Sequence, residues 1–409
     1  MASFSFGAGN AQKLARIPLY ALGRIATLVI PRGGGWVFGS GAGIGDGALA
    51  LWRTAVPPHE AVWLTGSARE ERDAAALGIP TVAKHSWRGF WLTARAAVVV
   101  LTHGFGDVNR YAVTGAFVVQ LWHGIPLKRI GLDSPETVRA PGVLRRVPGV
   151  SRLIALLYRA TARGIRLLPA ASHLVRGRLE SSFGLPDERI LVAGDPRVDV
   201  LSLGTAHERR EAARALVAER TGAIGDSRLV LYAPTWRDGA ADPAVPTAQQ
   251  WRAIVDVLDR EDAVLLVRSH PLGAGDYRPP TPTSRVRPFG SDVVVDATPV
   301  LPGLDVLVTD YSSMLFDAAL VPLPVVYIAP DVEQYARTRG FYGRYEDVAG
   351  TDYATDWTGG ARQLAALLAD PALRAARVRR SRQLSERVHA FRDGRSAERV
   401  YRAIQGRSG

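Results

Sequence analysis

A histidine that closes an apolar run is the first residue whose type and place could do chemistry. The stretch Gln120 to Gly131 reads QLWHGIPLKRIG, with His123 ending the run AFVVQLWHG and Lys128 five residues further on. An imidazole of ordinary pKa, near ~6.5, can take a proton from an attacking hydroxyl at neutral pH. An ammonium beside it can neutralise a phosphate. The plain alternative is a loop with a solvated lysine, and it stays open here. Lys128 is unusual in its type: only Lys13 and Lys84 share it in a chain whose 51 cationic side chains are otherwise arginine.

Three further stretches gather polar residues where a strand should end. YAPTWRD places Thr235, Trp236, Arg237 and Asp238 after one apolar run, VRSHP places Arg268 and His270 after another, and VTDYSSMLFD places Thr309, Asp310, Tyr311, Ser312 and Ser313 before a helix. Hydroxyls and N–H groups at a helix start favour an anion, although Ser312 or Ser313 could simply cap that helix. Three such mouths in one half of the chain point to a phosphate-binding cleft. A histidine donating to phosphate oxygens would stabilise developing charge. In a two-lobed protein His123 and His270 would then serve one substrate. Histidines 59, 85, 103, 173, 207 and 389 lack a comparable setting and read as structural.

The elements that must position these residues alternate between strand and helix. Strands are expected at Trp36–Phe38, 61–66, 81–85, 96–103 and 116–124, and in a second run at 188–194, 228–236, 263–270, 292–297, 305–313 and 323–330. This alternation predicts an α/β fold of doubly wound parallel sheets, in which ligands bind beyond the carboxyl ends of strands. The glycine-rich loop after Gly39 lacks the GxGxxG spacing, so it is either an anion cradle or a tight turn. Residues 1–30 read as a mildly amphipathic segment broken by Pro18, and the arginine-rich C-terminus reads as helical. A domain boundary is expected near 201–225.

Charge and composition narrow the class. The net charge of +12 suggests an anionic partner: nucleic acid, anionic lipid or a phosphorylated polymer. The absence of cysteine excludes disulfides, a thiol nucleophile and a cysteine zinc site, and fits the cytosol. No GxSxG, HExxH or Walker loop occurs, so no protein-held metal is implied, which leaves room for Mg²⁺ carried on a diphosphate. Neither a secretory signal nor an apolar run of bilayer length is apparent. Residues 137–179 carry no acid but nine arginines among leucines, the pattern of a basic amphipathic helix lying on a membrane or of a surface helix packing its leucines on the core.

Taken in order, LWHGIPLKRIG, GDPRVD (194–199), LYAPTWRD, RSHP and DVLVTDYSSMLFDAAL with PVVYIAPDVEQYARTRGFY resemble the CDP-glycerol glycerophosphotransferase family of teichoic acid and capsule synthesis. The resemblance covers roughly residues 36–350. It implies a GT-B-like fold, two doubly wound Rossmann-like domains facing a central cleft. Residues 1–200 would form the acceptor side, with a membrane-facing basic segment at about 143–168 that includes Arg145, Arg146 and Arg152. Residues 201–370 would bind the nucleotide donor, and 371–409 would be a basic helical tail.

The implied reaction moves glycerol phosphate from CDP-glycerol, or a related CDP-polyol, to a hydroxyl of a lipid-linked acceptor and releases CMP. It would take place on the inner face of the cell membrane, in the cytoplasm, without nucleic acid. His123 would be the general base, with His270 catalytic beside it. Thr235, Arg237, Arg268, Thr309, Ser312 and Ser313 would bind the donor. Asp310 would orient its loop or meet the polyol, and Lys128 would contact phosphate or acceptor. Such chemistry needs positioning and charge stabilisation more than covalent help.

The chain departs from the family in reading HGIP where HGTP is usual, which removes a threonine hydroxyl from the expected acceptor contacts. Its length is closer to the short members than to polymerases with an extra N-terminal domain. Two rivals remain: a GT-B nucleotide-sugar glycosyltransferase, since fold does not fix function, and a basic binding protein for an anionic polymer.

Overall fold

Apolar runs of three to six residues make the sheets of this protein, and the inner strands are buried on both faces, as expected for parallel strands covered by helices. The computed structural model of the chain describes residues 16–56, 59–140, 146–237, 242–269 and 275–407. Contacts divide it into two compact units. The first runs to His123, resumes over Arg129–Asp199 and takes in the chain from Ala390. The second comprises Gly124–Lys128 and Val200–His389.

The first unit carries a seven-stranded sheet in the order β3-β2-β1-β4-β5-β6-β7. Its strands are β1 (Trp36–Phe38), β2 (Ala61–Thr65), β3 (Thr81–Ala83), β4 (Val98–Leu101), β5 (Phe117–Gln120), β6 (Ile165–Ala170) and β7 (Ile190–Val192). Every pairing is parallel. Winding reverses between β1 and β4, and that point is where a doubly wound sheet opens a crevice. Trp36, Phe38, Trp52 and Trp63 fill the core on one side of it.

The second unit has a five-stranded parallel sheet, β10-β9-β8-β11-β12, built from β8 (Arg228–Ala233), β9 (Ala263–Val267), β10 (Val286–Pro288), β11 (Val306–Thr309) and β12 (Val325–Tyr327). Its reversal lies between β8 and β11. Helices are set by local chemistry. Thr205 with Glu208 and Thr247 with Gln250 form reciprocal capping boxes that satisfy first-turn N–H groups.

Several sequence expectations are corrected. Pro18 does not break a helix but sits in the first turn of Ile17–Val29, where its missing N–H costs nothing. The basic segment expected over 143–168 is not one element: the helix Val150–Ala162 ends before Gly164, and β6 follows. Ile165, Leu167 and Leu168 are buried while Arg166 is exposed, so the helical period gives way to a strand buried along most of its length. Arg145 lies outside the described residues. The run 292–297 is not a strand. It turns on Gly290, whose carbonyl accepts from the N–H groups of Val293 and Val294, and the edge strand is β10 instead.

The tail expected at 371–409 is also divided. Pro371–Val388 packs in the second unit, whereas Ser396–Gln405 belongs to the first. Asp199 accounts for that return: its two carboxylate oxygens accept the N–H groups of Ser396 and Ala397 at 2.9 and 2.7 Å. Among the described residues no helix is long and apolar enough to cross a membrane.

Candidate active site

In the first unit the carboxyl ends of three neighbouring strands meet at the winding reversal. The glycine-rich loop follows β1, Thr102 and His103 follow β4, and Leu121 to His123 follow β5. Asp107 organises the middle turn, with one carboxylate oxygen accepting the N–H groups of Thr102, His103 and Gly104 at 3.0, 2.7 and 3.1 Å. A Cβ at Gly39 would collide with the Asp107 carbonyl, so glycine there is what lets the two loops close up.

Trp122 adopts a φ of 64°, in the left-handed region that bulky side chains rarely enter. Its ring lies 4.1 Å from that of His123 and meets Phe183 edge-on at 5.2 Å. His103 stacks on His123 with centroids 4.2 Å apart and planes within 4°. A hydrogen bond of 2.8 Å joins His103 Nδ1 to Thr102 Oγ1, and that hydroxyl is linked to Ser40 Oγ and the Gly41 N–H of the glycine loop. Burial holds His103 below the ordinary imidazole range, with Asp107 opposing and Arg197 adding to the effect. Arg197 pairs with Asp46 at 3.4 Å and Asp195 at 3.7 Å.

The loop therefore reads as a turn that holds site residues. Asp46 already occupies the start of the helix Asp46–Ala55, and its carboxylate accepts the Gly47 N–H. His103, expected to be structural, lies at the site, as do Asp46 and Arg197. The run AAVVVLTH ends in histidine just as AFVVQLWH does, and reading both ends as neighbours in one sheet would have found His103.

In the second unit the loops after β8 and β11 are tied by Asp310. It accepts the N–H groups of Thr235 and Tyr311 at 2.8 and 2.6 Å and a charge-assisted bond from Arg237 at 3.1 Å. Arg237 grips Asp331 with Nε and Nη2, both at 2.8 Å, and lies over Tyr311 and Tyr335 at 4.9 Å from each ring. Burial raises the Asp310 pKa against Arg237 and the two N–H groups; burial likewise opposes charge on Arg237, but Asp331 and Asp310 outweigh it and raise its pKa.

These contacts show what already holds several residues of the expected donor-binding set. The Thr309 hydroxyl is wholly buried and donates to the Ala233 carbonyl, so it ties β11 to β8. Arg268 donates to the carbonyls of Phe289, Val294 and Val295, which engages its guanidinium in shaping the turn after β10. Arg237 and the Thr235 N–H are likewise held by protein acceptors, and Asp310 orients the loop. Ser312 and Ser313 remain part-exposed at the start of Met314–Leu320, with Ser312 Oγ accepting the Met314 N–H at 3.3 Å. Asp238 and His270 lie outside the described residues.

Lys128 belongs to the second unit with the four residues before it. It bridges to Phe341 by backbone pairing, and Leu127 accepts the Tyr342 N–H at 2.9 Å. Ile125, which stands in place of the family's threonine, is 2% exposed and packs inward. Among the described residues no group of three or more His, Asp or Glu side chains could hold a metal.

Two parallel, doubly wound sheets whose polar residues gather at the strand ends define a GT-B-like α/β protein. Its likeness to the wall teichoic acid polymerase TagF is a TM-score of 0.76 over 98% of this chain and 97% of that one, and at 19% identity this speaks to the fold. The family described as CDP-glycerol:poly(glycerophosphate) glycerophosphotransferase matches residues 49–406, and the chain belongs to it.

Among its relatives, a teichoic acid poly(glycerol phosphate) polymerase of Staphylococcus epidermidis is 31% identical over 242 residues, 58% of this chain and 32% of the relative. A teichoic acid glycerol-phosphate transferase of Staphylococcus aureus is 28% identical over 280 residues, 66% of each. The chain thus spans between a third and two thirds of the length of these relatives.

Proposed function

We propose that the protein transfers glycerol phosphate, or a related polyol phosphate, from its CDP-activated form to a hydroxyl of a lipid-linked acceptor in teichoic acid or related cell-envelope polymer synthesis. The acceptor oxygen forms a bond to the polyol-bearing phosphorus, the bridging P–O bond breaks, CMP leaves and His123 takes the hydroxyl proton. The observation that carries this reading is His123 itself. It stands at a strand end beside the winding reversal, with its ring held between named neighbours, in a chain of this family.

Ser312 and Ser313, with His270, are the proposed contacts of the donor phosphates, and Lys128 that of acceptor or phosphate. Arg237 and Asp310 act by holding the donor loops. Any Mg²⁺ the reaction uses enters with the nucleotide as part of the substrate. The setting we propose is the cytoplasmic face of the membrane, bound peripherally. Support comes from the helices Ile17–Val29 and Val150–Ala162, which leave Leu22, Ile25, Leu28, Leu153, Leu156 and Leu157 exposed beside Arg24, Arg152 and Arg159.

The test offers CDP-glycerol, CDP-ribitol and UDP-sugars with a lipid-linked acceptor and follows CMP and UDP. Acceptor-dependent CMP release, lost in a folded His123→Ala protein, is expected. UDP release instead would establish glycosyl transfer. Salt-sensitive polymer binding that survives the substitution, with neither nucleotide released, would establish a binding protein.

A further inference from the structure

We infer that His103 is a positioning residue for His123: its parallel imidazole fixes the plane in which His123 receives the acceptor's proton. The inference rests on His123 being the base of the transfer proposed above.

A partner that positions another ring must itself be held, and His103 is held from three directions. The backbone of its turn is pinned by the three N–H groups that converge on Asp107. Its Nδ1 is tied to the Thr102 hydroxyl, which the glycine loop holds in turn. The turn is also fastened to the strand carrying His123, because Leu101 pairs with Gln120 and the Gln120 side-chain amide donates to the Thr102 carbonyl at 3.2 Å. Both histidines thus leave one sheet from adjacent strands, His123 one residue beyond the position opposite His103, and the left-handed turn at Trp122 precedes the ring that stacks at 4.2 Å.

The chemistry of the contact fits a base that gains a proton. A second imidazolium at this distance would repel the charge His123 acquires. Burial lowers the His103 pKa and so favours its neutral form, which lessens that repulsion. Stacking also restricts rotation of the His123 ring, and a catalytic group a fraction of an ångström out of place loses rate steeply. A residue that only filled space would need neither the Thr102 bond nor the coplanar ring.

The experiment measures kcat, KM for CDP-glycerol and the pH dependence of CMP release, alongside thermal unfolding, for the full chain and for four variants. His103→Ala is expected to lower kcat by about 10- to 100-fold with KM close to wild type. His103→Phe, which restores a planar ring, is expected to recover most of that loss with an unshifted pH profile. Thr102→Val, which frees the His103 ring from its anchor, is expected to lower kcat to a smaller degree.

Unchanged kcat in folded His103→Ala overturns the inference. So does a folded His103→Phe that rescues nothing, because His103 would then be contributing a nitrogen and not a plane. Should the alanine variant fail to fold, the phenylalanine and Thr102 variants decide. His123→Ala separates the two levels: CMP release that survives it removes the base and the proposed mechanism, whereas its loss beside an unaffected His103→Ala confines the failure to His103.

Discussion

Arg237 shows how much of a loop one side chain can organise. Its guanidinium is 8% exposed and serves two aspartates, one of them, Asp310, 3% exposed. Removing one member of a buried ion pair leaves the other uncompensated, which costs about 3–5 kcal/mol. Arg237→Met is therefore expected to destabilise the protein by that order at neutral pH in denaturant unfolding.

The sign of its pH dependence follows from Asp310. A carboxyl whose folded pKa is raised above the unfolded value binds a proton in the native state first, so acidification favours folding. The deficit of the variant should shrink as pH falls from neutral towards the raised Asp310 value. A deficit that grows on acidification would refute this role for Asp310. Sequence spacing made Arg237 and Asp310 visible as polar residues at strand ends. It could not show that they face each other, because which acceptors a guanidinium meets is decided by loops 73 residues apart.

At the scale of elements, the helix Ser396–Gln405 buries Val400 and Ile404 and sets Tyr401 against Trp36 and His59. Arg395, at its N-cap, makes no side-chain capping bond, and Asp199 supplies the acceptor from nearly 200 residues away. Burial raises the Asp199 pKa, and the N–H bonds from Ala397 and Ser396 oppose that rise. Asp199→Ala is expected to cost about 1–2 kcal/mol, the range for a lost cap. Faster amide exchange across 396–405 should accompany the loss; exchange identical to wild type would show that the carboxylate is dispensable.

The strands were legible because buried parallel strands are continuous apolar runs. Two strands hid, β6 and β10, the first because its arginine-rich approach shares composition with the helix before it. The run 292–297 misled for the opposite reason, three valines in a row that a glycine turn prevents from pairing.

Across the whole molecule, a division could be read only as a boundary expected near 201–225, whereas the contacts part the units between Asp199 and Val200 and keep β7 in the first sheet. The exchanges of Gly124–Lys128 and of the tail could not be read, because they depend on contacts between distant segments. The net charge of +12 likewise announced an anionic partner without choosing one. The exposed leucines make the choice testable. Vesicles rich in anionic phospholipid should cosediment with the protein and lose it as salt is raised. Neutralising Arg146 and Arg152, or replacing Leu153, Leu156 and Leu157 with serine, should weaken binding, while equal binding to uncharged vesicles would count against an electrostatic contribution.

The return of the last helix to the first unit sets an order of assembly. A nascent chain leaves the ribosome amino end first, and domains ordinarily fold as they emerge. Here the second unit is one stretch, residues 200–389, apart from Gly124–Lys128, but the sheet bearing His123 lacks the helix Ser396–Gln405 until the whole second unit has been made. A chain that stops before Ser396 therefore lacks Val400 and Ile404 in the core they share with Trp36, Leu51 and Trp52, and His123 stands in a sheet whose packing is unfinished until those residues arrive.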